Sequence, residues 1–264
     1  MFLQVQNRRA CAVAIVTLTT DFSGHYTGIM AGVVKGIAPS AEVFTITDQV
    51  EPFDIKGGAF VLLSSYKHFP RGTVHAAVVD PGVGTDRRAV AIRTRGYWFV
   101  GPDNGILSPA AEEDGIIEAF ELPRQGANVS RTFEGRDVFA PAAGTIAAGA
   151  APAPGWRSAG GIQRLEFWKS VGCEFVRCEV VFVDRFGNLT LSLREGDTEL
   201  EGELLVQVGG RSFRARRAGT YSEIGDGLGV VLGSEGFYEL AVRGGSAKEL
   251  TGAASGSPIS LARG

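Results

Sequence analysis

TVHAAVVDPGVGTDRR, residues 73–88, is the stretch on which the fold prediction rests. The apolar run from Thr73 to Val79 predicts a buried strand that ends at Asp80. A proline and two glycines then predict a tight turn leading to Arg87 and Arg88. Ligands of open α/β sheets bind at the carboxyl ends of the strands, so the stretch suits a site for a polar or charged ligand. Taken alone, it is better explained as a surface turn with a salt bridge.

The same order of apolar run, acid and turn recurs along the first part of the chain. Strands are predicted at 12–18, 42–47, 74–79, 89–94, 97–100 and 116–122, and helices at 26–37, 55–66, 106–112 and 138–148. Acids lie at the ends of several of these strands, namely Asp21, Asp48, Asp80 and Asp103. Alternating strands and helices predict a mostly parallel sheet with helices on both faces. Gly28, Gly32 and Gly36 predict that the first helix turns a smooth face to that sheet.

The composition changes at residues 149–161, which are rich in Ala, Pro and Gly. We place the domain boundary there, with an α/β domain at 1–161 and an all-β domain at 162–264. Beyond the boundary, strands are predicted at 174–183, 189–193, 203–208, 212–215, 228–232 and 237–242. Short strands separated by polar turns predict a small β-barrel or sandwich.

Composition excludes several classes of protein. The 264 residues carry a net charge of −3, with 44% hydrophobic and 21% charged residues, as in an ordinary soluble protein. This charge predicts no nucleic-acid partner, and no apolar run reaches the roughly 20 residues of a membrane-spanning helix. Cys11, Cys173 and Cys178 have no metal-ligand spacing, so we expect a reducing, cytoplasmic location and no structural metal.

Common catalytic motifs are missing from the sequence. There is no GxGxxG after a strand, no GxxxxGK[ST], no HExxH and no GxSxG. Of the three histidines, His75 falls within a predicted strand and is interpreted as structural, and His68 is expected to be exposed. His25 lies near a strand-end acid and is the histidine best placed to touch a ligand. A Ser-His-Asp or zinc mechanism therefore has little support.

A series of longer motifs is more specific. In chain order they are LTTDF (18–22), VEPFDI (50–55), GAFVLL (58–63), VDPGVGTDRR (79–88), GPDNGILS (101–108), TFEGRDVFAP (132–141) and VDRFGNL (183–189). Together they resemble the S-adenosyl-L-methionine hydroxide adenosyltransferase family, whose relatives include the bacterial fluorinases and chlorinases. The resemblance covers nearly the whole chain.

This resemblance implies a fold, an assembly and a reaction. The fold is an N-terminal α/β domain followed by a C-terminal β-barrel. The assembly is a homotrimer that binds S-adenosylmethionine between the N-domain of one subunit and the C-domain of the next. The reaction is attack of water-derived hydroxide on C5′, which gives adenosine and methionine without a cofactor. Because the sulfonium leaves as a neutral thioether, the protein must mainly align the nucleophile and exclude bulk water.

The resemblance also implies roles for individual residues. Asp80 and Arg87 match two members of the family's catalytic Asp-Arg-His set, and Glu134 stands where the histidine is found. The resemblance implies that Arg87 orients and stabilises the incoming hydroxide and that Asp80 holds the arrangement. The implied substrate contacts are Asp21 with the ribose hydroxyls, Phe53 and Tyr221 packed on the nucleoside, Phe186 and Asn188 on adenine, Asp184 facing the methionine ammonium, and Ser234 with Glu235 by the methionine end.

Two departures from the family pattern leave alternatives open. Glu134 can accept a proton, but beside Arg87 we expect it to form an ion pair and remain a weak base. The loop between Asp21 and Tyr26 is shorter than usual and lacks an expected acid, so contacts to the methionine amine would be weakened or partly replaced by His25. A protein that binds S-adenosylmethionine or adenosine with little or no turnover is therefore the main alternative to a hydrolase. Halide transfer is less favoured, because the fluorinases carry tyrosine at the position of Asp80 and a long insertion where Arg95 and Gly96 form a tight turn.

Overall fold

The computed structural model describes residues 13–124, 130–172 and 175–263. The chain divides into two compact units, Met1–Phe53 with Ser65–Gln163, and Asp54–Ser64 with Arg164–Gly264. The predicted boundary at 161/162 is a separate, sequence-based division and stays a prediction. Cys11 and Cys173 lie outside the described residues, whereas Cys178 is a buried free cysteine.

The first unit is built on a seven-stranded sheet. Its strands are β1 (Ile15–Thr20), β2 (Glu42–Thr47), β3 (Val74–Val78), β4 (Ala89–Thr94), β5 (Trp98–Pro102), β6 (Ile116–Glu121) and β7 (Arg157–Ser158). Their order is β2-β1-β3-β5-β4-β6-β7. Strands β2, β1, β3 and β5 pair in parallel, and β4 runs antiparallel to both β5 and β6. Since only β4 and β7 oppose the common direction, the prediction of a mostly parallel sheet is confirmed.

Helical segments cover both faces of this sheet. They are α1 (His25–Ile37), a 3₁₀ turn (Tyr66–His68), α3 (Ser108–Asp114), and a π-helical turn (Gly135–Phe139) that continues into α4 (Ala140–Ala147); α2 (Ile55–Ser65) lies between α1 and the 3₁₀ turn in the chain. On one face α1 and α4 pack over the apolar side chains of β1 and β3. On the other face the rings of Tyr66 and Phe99 pack against His75. The Tyr66 hydroxyl donates there to Glu113 of α3, at 3.2 Å.

The prediction for the glycines of α1 was wrong. Thr27, Met30 and Val34 are the buried residues of this helix. A Cβ added at Gly28, Gly32 or Gly36 would meet nothing within 4 Å, so the glycine face points away from the sheet. The buried side is the apolar one, because burial of Met30 and Val34 removes more apolar surface from water than glycines could.

The second unit contains a closed barrel. Its strands are β8 (Lys169–Val171), β9 (Phe175–Val183), β10 (Leu189–Arg194), β11 (Glu203–Val208), β12 (Arg211–Arg217), β13 (Leu228–Leu232), β14 (Phe237–Val242) and β15 (Pro258–Arg263), with a short helix α5 (Ala247–Thr251) before β15. Strands β9 and β15 pair, β15 pairs with β11, and β9 also pairs with β10, which closes a seven-stranded ring to which β8 is added. The all-β prediction is thus confirmed as a barrel, filled by leucine and valine side chains.

Candidate active site

A cavity of about 630 Å³ opens at the carboxyl ends of β1 and β3 in the first unit. Two of the strand-end acids, Asp21 and Asp80, line it. Another of these acids, Asp103, instead binds Arg88, with Arg88 Nε 2.9 Å from its Oδ2. The cavity is lined by Asp21, Phe22, Tyr26, Pro52, Phe53, Val78, Asp80, Val83, Ser130, Thr132, Phe133, Glu134, Gly135 and Arg136.

The turn after β3 brings Asp80 and Arg87 together. The Val83 amide donates to the Asp80 carbonyl at 3.3 Å, and the Thr85 hydroxyl donates to the Gly82 carbonyl at 2.6 Å. Gly84 has a φ of 79°, and a Cβ there would lie 2.8 Å from a backbone carbonyl oxygen, so the turn requires glycine. Proline and glycine thus fold the chain back on itself at the strand end, as the sequence predicts.

Arg87 is held between two buried carboxylates. Its Nε lies 3.0 Å from each oxygen of Asp80, and its Nη2 binds both Asp80 and Glu134. The side chains of Arg87, Asp80 and Glu134 are 11%, 6% and 4% exposed. Burial opposes the charge of Arg87, but its hydrogen bonds and charge interactions with Asp80 and Glu134 outweigh this effect and raise its pKa. Arg87 therefore stays charged, and the expected Glu134–Arg87 ion pair is present.

A second arginine, which the sequence analysis did not single out, completes the cluster. Arg124 Nη2 lies 2.7 Å from Glu134 Oε1. The same guanidinium donates to backbone carbonyls of the turn, including that of Thr85 at 2.6 Å. Asp80 and Glu134 line the cavity, whereas neither Arg87 nor Arg124 is among its lining residues in the described chain. The carboxylates thus face the cavity and the arginines lie behind them.

Asp21 also lines the cavity, beside Phe53. Asp21 Oδ2 accepts the Phe53 amide at 2.9 Å. Phe53 has a φ of 68°, a left-handed conformation that costs energy in a residue with a side chain, and it is 70% exposed. The strained backbone presents an aromatic ring at the mouth of the cavity, next to a carboxylate. These positions suit a nucleoside, with a carboxylate for hydroxyl groups and a ring for an apolar face.

Three aromatic residues that line the cavity, Phe22, Tyr26 and Phe133, pack together as an aromatic wall. The ring of Phe133 lies 5.9 Å from that of Phe22 and 5.2 Å from that of Tyr26, and both pairs meet edge to face. Gly135 lies directly under this wall, since a Cβ there would come within 3.1 Å of the Phe133 ring. Aromatic faces attract organic cations, so the wall suits a sulfonium. The predicted contacts did not include these three aromatic residues, because their shared wall is formed by segments distant in sequence.

In the second unit, the predicted adenine-binding residues form one tight turn. Asp184 Oδ1 accepts the amides of Phe186 and Asn188 at 2.8 and 2.9 Å, and its Oδ2 accepts Asn188 Nδ2 at 2.9 Å. Gly187 has a φ of 78° and no room for a side chain against Ser246. The turn leaves the Phe186 ring 79% exposed. Asp184 therefore has a structural role in this turn, and its contact with the methionine ammonium stays a prediction.

Tyr221 lies in the same unit beside an acid that the sequence analysis missed. Its hydroxyl donates to Glu239 Oε2 at 2.6 Å. Burial, and then this bond, raise the pKa of Tyr221. Burial and the charge of Asp184 raise the pKa of Glu239, while the bond from Tyr221 acts in the opposite direction. Ser234 Oγ lies 3.5 Å from Glu235 Oε1 on the barrel surface.

Within the parts of the chain that the structure describes, no group of three or more His, Cys, Asp or Glu side chains is arranged to hold a metal ion. In the same residues, no helix has the length and apolar character needed to cross a membrane.

Comparison with known proteins gives matches over both units. Residues 16–154 match the model of the SAM hydroxide adenosyltransferase N-terminal domain, and residues 178–260 match that of the C-terminal domain. The (R)-S-adenosyl-L-methionine hydrolase of Thermus thermophilus is 38% identical over 247 residues, which are 89% of this chain and 94% of the relative. A crystal structure of an uncharacterized conserved protein from Thermotoga maritima matches with a TM-score of 0.84 and 35% identity, over 94% of this chain and 100% of the other.

A fluorinase gives a shorter match. The enzyme from an Actinoplanes species is 29% identical over 144 residues, which are 45% of this chain and 48% of its own.

Proposed function

The chain belongs to the SAM hydroxide adenosyltransferase family, and from this premise we propose that it is an enzyme that hydrolyses S-adenosyl-L-methionine to adenosine and L-methionine. Relatives named (R)-S-adenosyl-L-methionine hydrolase match most of the chain, whereas the fluorinase match covers less than half of it. These relatives are named for the (R) form of S-adenosyl-L-methionine, and we propose the same form as the substrate here.

The reaction is a single displacement at carbon. A water oxygen bonds to C5′ as the C5′–sulfur bond breaks, and the electron pair of that bond remains on sulfur. Methionine leaves as a neutral thioether, and the attacking water loses one proton to a base or to solvent. The sulfonium is itself the activated leaving group, so we propose that no further cofactor takes part. The protein supplies alignment, a proton acceptor and a site with little bulk water.

Asp80 is the proposed proton acceptor. Its carboxylate lines the cavity at the end of β3, and Arg87 holds both of its oxygens. Because Arg87 lies behind the carboxylates, we assign it the role of fixing Asp80 and Glu134 in place. Asp80 is bound by the one guanidinium of Arg87, whereas Glu134 is bound by two, those of Arg87 and Arg124. Protonation of Glu134 would weaken both of its ion pairs, so Glu134 is proposed to shape the charge of the wall and not to take the proton.

The proposed substrate contacts match each part of the substrate to the side chains that suit it chemically. Asp21 is proposed to bind the ribose hydroxyls, with Phe53 on the nucleoside, and the aromatic wall of Phe22, Tyr26 and Phe133 faces the sulfonium. The remaining contacts are assigned to barrel residues, with Phe186, Asn188 and Tyr221 on the nucleoside and Asp184, Ser234 and Glu235 at the methionine end.

We further propose that the enzyme is a cytoplasmic homotrimer in which the barrel of a neighbouring subunit supplies those barrel contacts. The exposed rings of Phe53 and Phe186 support a site completed by a second copy, because isolated aromatic rings gain from burial. The exposed glycine face of α1 supports close subunit packing. The buried free thiol of Cys178 supports a reducing compartment.

The observation that carries this proposal is that Asp80, buried and paired with Arg87, lines the same cavity as Asp21. The test is incubation of purified protein with (R)-S-adenosylmethionine, with and without chloride, followed by chromatography of the products. Adenosine and methionine in equal amounts are expected in both samples. A 5′-chloro nucleoside would establish halide transfer instead.

The two ion pairs of Glu134 favour one alternative, a protein that binds the substrate without turnover. Glu134 is 3% exposed and bound by two arginines, as a purely structural carboxylate would be. Calorimetric titration with S-adenosylmethionine separates the two functions. Tight binding with no adenosine after long incubation would establish the binding protein and refute the hydrolase.

A further inference from the structure

We propose that Arg124 is a positioning residue for hydrolysis, which sets the placement of Asp80 and Arg87 by tying Glu134 to the turn that carries them. The inference rests on the proposed function, since it concerns the same reaction. No role for Arg124 follows from the sequence motifs, because it lies outside all of them.

The contacts of Arg124 join two separate segments. Its Nε and Nη2 lie 3.1 and 2.7 Å from Glu134 Oε1, at the start of the π-helical turn. Its Nη2 also lies 2.6 Å from the Thr85 carbonyl, and its Nη1 donates to the Arg87 carbonyl. One guanidinium thus connects the carboxylate of Glu134 with the backbone on which Arg87 is mounted. A planar group with several fixed donors is suited to this bridging, whereas an ammonium is not.

The charges of the cluster require a second cation. Asp80, Arg87, Glu134 and Arg124 alternate in sign, and each contacts the next. Without Arg124, two buried carboxylates would share the one guanidinium of Arg87. Removing one partner from a buried charge cluster leaves a charge that must move or attract water. Glu134 would then compete with Asp80 for Arg87, and the carboxylate proposed to accept the proton would shift.

Arg124 acts from outside the substrate cavity. In the described chain it lines a separate cavity of about 270 Å³, together with Glu121, Pro123 and Arg157 among others. It is not among the residues that line the larger cavity with Asp21 and Asp80. Its loss is therefore expected to change alignment at the reacting carbon and to leave substrate binding nearly unaltered.

The test compares Arg124→Gln and Arg124→Lys with a matched control, Arg131→Gln. Arg131 donates to a carbonyl of the same turn, that of Gly84 at 3.1 Å, but within the described residues it does not bind Glu134, and it is exposed. For Arg124→Gln, kcat is expected to fall on the order of 100-fold, because a displacement of the reacting groups by about 1 Å costs that much in rate. KM is expected to change little. Arg124→Lys should recover part of kcat, and Arg131→Gln should match the wild type.

A double variant gives the specific readout. If Arg124 acts through Glu134, the double variant Arg124→Gln/Glu134→Gln should lose less kcat than the product of the two single fold-losses predicts. The reason is that a neutral amide at position 134 needs no second cation. Wild-type kcat in Arg124→Gln, or effects that simply multiply, would overturn the inference. Should Arg124→Gln fail to fold, Arg124→Lys decides: an unchanged kcat overturns the inference, and a reduced kcat with wild-type KM supports it.

The same data separate this inference from the proposed function. Wild-type protein that forms no adenosine refutes both. Wild-type protein that forms adenosine, beside an Arg124→Gln variant of equal kcat, refutes only the role of Arg124.

Discussion

Replacing Asp80 with asparagine removes the carboxylate that both lines the cavity and binds Arg87. In the native protein Arg87 Nε lies 3.0 Å from each Asp80 oxygen, and Nη2 donates to Oδ2 as well. Asparagine retains one acceptor and places an amide that donates hydrogen bonds beside a guanidinium that does the same. The change is nearly isosteric, so its effects come from charge and hydrogen bonding and not from a cavity.

The contacts of Asp80 set the expected loss in unfolding free energy and the expected loss in kcat. Breaking a buried ion pair costs about 3–5 kcal/mol, and because Glu134 still pairs with Arg87 we expect a loss of about 3 kcal/mol in unfolding free energy. Loss of a proton acceptor in the transition state lowers rates about 10²–10⁴-fold, and we expect kcat to fall within that range. KM should change little, since the proposed substrate contacts lie elsewhere.

The assay is steady-state adenosine formation, measured by chromatography, beside urea unfolding of the same samples. Asp86→Asn is the matched control, because Asp86 is an exposed acid in the same turn. Its kcat and unfolding midpoint should equal those of the wild type. An Asp80→Asn enzyme that keeps kcat within about threefold of the wild type would refute the role of Asp80, since even a modest acid–base contribution exceeds that factor.

Three other expectations concern separate parts of the molecule. Burial lowers the pKa of His75 from 6.5 to about 3, so as the pH falls the unfolded chain takes up this proton before the folded chain does. The contribution of His75 to stability should be full above pH 6.5 and fall by up to about 1.4 kcal/mol per pH unit below it. Urea midpoints of His75→Phe should not show this loss of stability at low pH. Asp21→Asn should raise KM about 10-fold or more with little change in kcat, from loss of charge-assisted bonds to ribose; unchanged KM would exclude that contact. Gly187→Ala should lower the free energy of unfolding in urea by about 1–3 kcal/mol, because its Cβ would lie 2.1 Å from Ser246 Oγ at a φ of 78°. The loss should exceed that of Gly196→Ala, a position with a similar φ and open space around it.

Much of the fold could be predicted because its strands are local patterns. Glu42–Thr47 and Ala89–Thr94 are strands with the predicted bounds, since their apolar and β-branched residues favour extended backbone. Strand β15 and helix α5 were not predicted. Strand β15 begins with proline, and its pairing with β11 and β9, which places it within the ring that the β9–β10 pairing closes, joins residues far apart in sequence.

The candidate site divides in the same way. Asp80 and Arg87 lie in one turn, so the sequence alone places them together, and adjacent parallel strands bring Asp21 to the same edge of the sheet. Arg124 and Glu239 could not be found, because their partners lie in other segments and no spacing signals the contact. The glycines of α1 were misplaced, because spacing shows that a smooth face exists but not which way it points.

Hydrolysis in ¹⁸O-labelled water, read by mass spectrometry, tests the central claim most directly. If water attacks C5′ in the cavity beside Asp80, the label must enter the 5′-hydroxyl of adenosine and be absent from methionine. Unlabelled adenosine, label in the methionine product, or cleavage of another bond of the sulfonium would contradict the account.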